Sequence, residues 1–375
     1  MRQSASEAIL PPHKTPRMKP RNQHILLVVA KLVIASALLA TVISKVHWND
    51  YQVTEAAAVP QAHVTTMPGF KSSLTDIRLA PVGWAVAAYA ASLILTAVRW
   101  RFLLAVQGVA LPLWQAMRLT FLGLFFNTIV PGTVGGDLFK AYYAAKHTPN
   151  KAGTLVATFV DRAVGMTGLA LLSAAMLATA AAGGLMSPQQ MRLPAISILV
   201  IGCVLVVAAV FLFSRRFRRA FHLQKLYKRL PIAHHIGAAG EAVNIYRRRW
   251  SKLLSALGVT VFCHLLFVLS ILLLGASMSL DVPPPQYFLY IPLIYVIGAV
   301  PITPGGVGLV EKLFVTFFAV ANPSAVLALA LLARMMPMVL GALGLWVFLS
   351  GPRPPKASQI KQELAIADAP EAASS

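Results

Sequence analysis

Acidic residues are scarce in this 375-residue sequence. Twelve Asp and Glu stand against 33 Lys and Arg, and charged residues make up only 12% of the chain. An ordinary globular domain carries about a quarter charged residues, because its surface must be solvated. Half that share cannot cover a water-exposed surface, so lipid must be the solvent for much of the chain. Cysteine is nearly absent too. Cys203 and Cys263 both fall in apolar runs, which supports neither a disulfide framework nor a metal site. The nine His residues show neither HExxH nor paired-ligand spacing. No metal and no cofactor are expected, and His264 reads as a hydrogen-bonded packing residue. There is no G-K-[ST], so no nucleotide-binding loop and no ATP-driven step.

What the sequence does have is apolar length and cations: 57% hydrophobic residues and a net charge of +21. In a soluble protein such a charge would suggest nucleic acid; in a membrane protein it marks basic cytoplasmic loops. A hydrocarbon core about 30 Å thick needs about 20 apolar residues per helix. Six segments fit, at 25–44, 82–104, 154–181, 194–213, 253–274 and 325–349. Two more apolar regions, 113–147 and 286–321, are broken by Pro and Gly. The first span lacks a small-residue cleavage site and reads as a retained anchor.

Lys and Arg set the orientation. They crowd the arm 1–24, the turn with Lys140, Lys146 and Lys151, the loop 214–252, and the stretch after the last span; 45–81, 182–193 and 275–285 are not basic. Placing the basic segments in the cytoplasm satisfies every span at once, with both termini inside and no nucleic-acid partner. The stretch 113–147 must then leave and rejoin the inside, and 286–321 the outside. The chain becomes an all-α polytopic membrane protein with six spanning helices and two broken, re-entrant hairpins. Its halves, 25–181 and 194–349, form an inverted repeat joined by the outer loop 182–193. In such repeats the substrate site lies near mid-membrane where the halves meet. The loop 214–252 suits an interfacial helix on anionic lipid, with Phe217, Phe221, Tyr227, Tyr246 and Trp250 as its aromatics. The polar tail 350–375 reads as disordered.

The repeat is visible in the residues. Pro131-Gly132-Thr133-Val134-Gly135 in the first hairpin corresponds to Pro304-Gly305-Gly306-Val307-Gly308 in the second. An acid and a base follow each, Asp137 and Lys140, then Glu311 and Lys312. Pro131 and Pro304 would end the incoming helices. Gly135, Gly136, Gly306 and Gly308 would take positive φ or admit close neighbours. Each returning half-helix would then present unpaired N–H groups to an anion, unless Asp137 merely caps its own helix.

Asp137, Asp161, Arg162, Glu311, Lys312 and Arg334 all lie in apolar surroundings. Each charge at mid-bilayer costs about 2.5–3.5 kcal/mol, so they must pair or face water. Asp161 and Arg162 are adjacent, point about 100° apart on a helix and cannot satisfy each other. The expectation is that Asp137 and Glu311 meet Arg162 and Arg334 across the interface of the halves, around a polar cavity or as a purely architectural network. Arg99 and Arg101 read as interfacial anchors flanking Trp100.

Several motifs together resemble the flippase-like, lysylphosphatidylglycerol synthase transmembrane-domain family. They are Arg99-Trp100-Arg101-Phe102-Leu103-Leu104, the run from Phe126-Asn127 to Asp137-Leu138-Phe139-Lys140, Asp161-Arg162, the Pro304–Gly308 run with Glu311, and Arg334. The likeness covers 25–349. It implies movement of a lipid between leaflets: an anionic phospholipid, a glycolipid or an isoprenoid lipid. It places Asn127 beside the hairpin residues in a headgroup cavity with no catalytic residue. No aminoacyl-transferase domain follows residue 349, so synthase activity is not expected. The alternatives are a polytopic polyprenyl-phosphate-dependent transferase and a non-transporting partner of a lipid-synthesis enzyme.

Overall fold

The computed structural model describes residues 20–54, 64–129, 135–146, 148, 150–213, 242–300, 302–319 and 321–350. Most of the basic arm, residues 214–241 of the basic loop, the tail from 351, Pro131 and Gly132 lie outside the described residues. The elements in order are α1 (Pro20–Ile43), β1 (Tyr51–Thr54), β2 (Val64–Met67), α2 (Phe70–Thr75), α3 (Leu79–Val106), α4 (Leu113–Ile129), α5 (Gly135–Ala145), α6 (Lys151–Gly183), α7 (Pro188–Phe213), α8 (Trp250–Ser277), α9 (Pro284–Gly298), a 3₁₀ turn (Pro304–Gly306), α10 (Leu309–Phe317) and α11 (Pro323–Ser350).

The protein is an all-α polytopic membrane protein. Five of the six expected spans lie in helices long and apolar enough to cross a bilayer: α3, α6, α8 and the parts Pro188–Val207 and Pro323–Ala342 of α7 and α11. The first span, in α1, has a shorter apolar stretch, Val29–Ile43. The broken regions are pairs of short helices. At 1.5 Å per residue α4 is about 26 Å long and α10 about 14 Å, each short of a 30 Å core.

Helix packing reproduces the repeat. If α3, α4, α5 and α6 are exchanged with α8, α9, α10 and α11, the long α3–α8 contact maps onto itself. The same exchange carries α4–α11 onto α9–α6, α3–α4 onto α8–α9, and α5–α6 onto α10–α11. Apolar all round, α9 is buried as such a helix must be: Leu289, Ile291, Leu293 and Ile294 are fully enclosed by neighbours on α6, α8 and α10. Outward faces such as Leu199, Val204 and Val206 of α7 are bare, as a lipid-facing surface is.

Two sequence expectations are corrected. The connection between the halves is shorter than 182–193, because α6 runs to Gly183 and α7 starts at Pro188. The signal was a capping box: Ser187 N–H donates to Gln190 Oε1 at 2.9 Å, and Gln190 N–H donates to Ser187 Oγ at 3.3 Å. Tyr246, expected at the lipid interface, is fully buried, its hydroxyl donating to the Leu103 carbonyl at 2.8 Å. It fastens the end of the basic loop to α3. Among the described residues of 45–81, β1 and β2 pair as an antiparallel hairpin, with Tyr51 opposite Met67 and Val53 opposite Thr65.

That hairpin is clasped to the start of α11. His47 N–H donates to Ser324 Oγ at 3.0 Å, and Asn322 Nδ2 donates to the Pro68 carbonyl at 2.7 Å. Within the clasp Asp50 accepts from Gly69 N–H and the Ser72 hydroxyl, which hold its carboxyl below the ordinary value of 3.8. A carboxylate so depressed contributes order that is complete above its unfolded pKa and is lost as pH falls through the folded one. Fluorescence of Trp48, which packs edge-on against Phe70, is therefore expected to change on acidification below pH about 4. Asp50→Asn should flatten that acid limb; an unchanged titration in the variant would assign the signal to another group.

Candidate functional site

The first broken hairpin is closed by a side chain and a glycine. Asn127, near the end of α4, accepts a hydrogen bond from Gly136 N–H at 2.9 Å and so satisfies a first-turn amide of α5. Gly136 is helical, not left-handed; what it supplies is space. A Cβ there would overlap the Gly123 carbonyl oxygen of α4. Gly136→Ala is expected to cost about 1–3 kcal/mol by overpacking. Gly202→Ala, in the open on α7, should instead stabilise by about 0.5–1 kcal/mol. Thermal unfolding in detergent compares the two signs.

With α5 held this way, Asp137 in its first turn faces α6, and Arg162 Nη1 donates to Asp137 Oδ2 at 2.8 Å. One residue earlier on α6, Asp161 points elsewhere, as adjacency requires. It accepts from Arg99 Nε of α3 at 2.8 Å, while Arg99 Nη1 donates to Thr260 Oγ1 of α8 at 2.9 Å. Arg99 is only 5% exposed, so its reading as an interfacial anchor is corrected. The signal was the apolar run Phe102–Val106, which carries α3 nearly two turns beyond it. Arg101 alone keeps the edge position, exposed and donating to the Leu111 carbonyl. Trp100 is fully buried under Lys140, whose ammonium lies 3.9 Å from its ring centroid.

These groups line one cavity of about 270 Å³ where the two halves meet. Thr96 and Arg99 come from α3, Asn127 from α4, Asp137 and Lys140 from α5, Asp161 and Arg162 from α6, His264 from α8, and Tyr295 from α9. His264 Nε2 is also hydrogen-bonded to the Gly165 carbonyl at 2.9 Å, so the packing role expected of it holds, and the cavity position is new. Three cations, Arg99, Lys140 and Arg162, face two carboxylates, Asp137 and Asp161. The imbalance sits on Lys140, which among the described residues has no carboxylate within ion-pair distance. Lys140, buried without a carboxylate counter-charge, is the position in the cavity that an incoming negative charge would complete.

The second half uses its equivalent residues differently. Gly305, Gly306 and Gly308 take φ of 59°, 70° and 79°, the region that favours glycine, and the Ala35 carbonyl of α1 sits where a Gly308 Cβ would be. Glu311 Oε2 accepts from Gly308 N–H at 2.7 Å, so the N-terminus of α10 is filled by the chain's own carboxylate and is not open to an anion. Arg334 donates to Glu311 Oε1 at 2.5 Å, to the Gly305 carbonyl at 3.0 Å and to the Gly306 carbonyl at 3.2 Å. Pro304 opens the 3₁₀ turn that Arg334 binds. Lys312, half-buried, joins neither ion pair.

The expected pairing is therefore corrected in one respect: the acids and arginines pair, but within each half. Each returning half-helix runs directly into the span that follows it and packs on it, so Asp137 meets Arg162 and Glu311 meets Arg334 before any cross-half partner is in reach. Arg162 keeps 36% of its side chain exposed beside an Asp137 at 24%; Glu311 keeps 2%. The described residues of the cavity draw their ion pairs from the first half only. Gly135 begins α5 behind them.

The family model described as "Lysylphosphatidylglycerol synthase TM region" matches residues 28–344. No curated protein matches the chain.

Proposed function

The chain belongs to the lysylphosphatidylglycerol synthase TM region family of membrane proteins related to lipid metabolism, and from that premise we propose that it is a translocase. It moves a lipid with an anionic, phosphate-bearing headgroup between leaflets. The observation that carries this reading is the cavity at the junction of the halves, with three cations facing two carboxylates and room for one further negative charge. The headgroup occupies that cavity beside Lys140 and Arg162, and the acyl or isoprenoid tail stays in the bilayer.

Arg162 uses one nitrogen on Asp137 and keeps its other donors for a ligand, which suits a planar fork meeting phosphate oxygens. Asp137 steers that fork, and Asp161 does the same for Arg99. Without a nucleotide motif, the driving force is a gradient or the lipid's own distribution. The membrane is the cytoplasmic one, with the face that bears Arg101, Lys146, Lys151 and Lys252 inside, by the excess of Lys and Arg there. Trp48 and Trp84 on one side and Trp114, Trp250 and Trp346 on the other are exposed where interfacial aromatics belong. The protein does no group transfer; its partner is the lipid, together with the enzyme that makes or consumes it.

The test is a leaflet-resolved lipid assay in a deletion strain complemented with wild type, Asp137→Asn or Arg162→Ala. Wild type should restore the leaflet distribution of one lipid class, and neither variant should do so at equal membrane levels. Identical distributions in all four strains would end the translocase reading.

A further inference from the structure

The Asp137–Arg162 pair has two faces. One looks into the cavity between the halves. The other borders a second, smaller hollow of about 70 Å³ between α5 and α6. Apart from the ion pair and Thr158, whose hydroxyl is already engaged by Trp100 Nε1 at 3.2 Å and the Thr154 carbonyl at 3.0 Å, its walls are carbon from Leu138, Ala141, Leu155 and Phe159. Leu138, Leu155 and Phe159 are 49%, 41% and 58% exposed, so this hollow opens on the outward surface of the bundle, where hydrocarbon lies. An apolar crevice reaching from the bilayer to a charged pair, with a polar cavity on the far side, has the two-part chemistry of a lipid.

Resting on the translocase reading, we infer that the α5–α6 crevice is the lateral binding site for one hydrocarbon chain of an anionic lipid, and that the Asp137–Arg162 pair is the door between that chain and its headgroup. The occupant follows from charge and geometry. Leu138 and Ala141 are three apart on α5, and Leu155 and Phe159 four apart on α6, so each pair forms one side of a groove. The groove can hold a chain segment, and with the Thr158 hydroxyl spent on Trp100 and Thr154, the pair at its inner end is what can receive a headgroup. Beyond the pair stands Lys140, which lacks a carboxylate partner among the described residues. A zwitterionic headgroup would bring its own cation beside Arg162 and Lys140; an anionic one supplies the counter-charge that Lys140 lacks. The second half offers no such arrangement among the described residues: Arg334 is spent on Glu311 and two backbone carbonyls.

Photolabelling tests the site without requiring transport. The full chain in nanodiscs is irradiated with phosphatidylglycerol or phosphatidylcholine, each bearing a diazirine midway along one acyl chain. Labelled positions are then read by peptide mapping. The bare face of α7 at Leu199, Val204 and Val206 reports ordinary surrounding lipid. Labelling at Leu138, Leu155 and Phe159 is expected to favour phosphatidylglycerol by about tenfold, the equivalent of one charge-assisted hydrogen bond, while the α7 face labels equally from both. Arg162→Gln should remove the preference. Ala141→Phe should remove crevice labelling by filling it; Leu155→Trp fills it from the more exposed wall should the first variant not fold. Equal labelling from both lipids at both faces would overturn the inference. A wild type that transports but shows no crevice preference sinks the crevice alone; one that shows the preference but never transports sinks the translocase reading alone.

Discussion

Asp161→Leu is expected to destabilise the protein by about 3–5 kcal/mol, and adding Arg99→Met is expected to recover most of that loss. The asymmetry comes from desolvation. Arg99 is 5% exposed and bound to Asp161 and Thr260, so removing the carboxylate strands a guanidinium in low dielectric with one hydroxyl for company. The double variant carries no such charge and fills a similar volume with carbon. Unfolding in detergent, with both single variants and the double, closes a cycle that isolates the coupling. A single variant within about 1 kcal/mol of wild type would mean that water reaches the pair as it does a surface one.

The second large effect separates residues that occupy equivalent places in the repeat. Arg334→Ala is expected to cost about 3–5 kcal/mol, because it leaves Glu311, 2% exposed, without its cation and frees two carbonyls of the 3₁₀ turn. Arg162→Ala, by contrast, should change stability by about 1 kcal/mol or less, since its partly exposed pair behaves more like a surface one. Yet it should remove transport altogether. Unfolding and the leaflet assay, run on both variants, therefore give opposite orderings. If both lose stability equally, the two arginines share one structural role and the cavity has lost its chief ligand.

Much of this was legible in the sequence, and the reason is the scarcity of charge. With so few ionisable residues in the apolar runs, Asp137, Asp161, Arg162, Glu311 and Arg334 stood out individually, and the length of the apolar runs located five of the spans. The matched Pro-Gly runs marked both breaks because only such residues interrupt a helix there. Partner choice was hidden, since pairing depends on which helix each returning segment packs against. Depth was hidden as well: Arg99 and Arg101 are two residues apart, yet one is core and the other edge, decided by the turn of α3 that each faces. The divergence of Arg162 from Arg334 could not be read from matched motifs. It depends on Glu311 being long enough to reach back to Gly308 N–H, whereas in α5 the first-turn amide of Gly136 is taken by Asn127.

The clasp between the β-hairpin and α11 has a mechanical consequence. The second half is tied at Asn322 and Ser324, where α11 begins, and its broken hairpin is riveted by Arg334. Among the described residues, the hydrogen bonds that tie α5 are those of Asn127 and the partly exposed ion pair, with Lys140 over Trp100 and Phe139 stacked on Phe126 beside them. The repeat is thus symmetric in path but not in compliance. Among the described residues, a motion that opens the cavity breaks fewer hydrogen bonds by swinging α5 than by moving α10 with its 3₁₀ turn, which makes the first half the arm and the second the post on which it hangs.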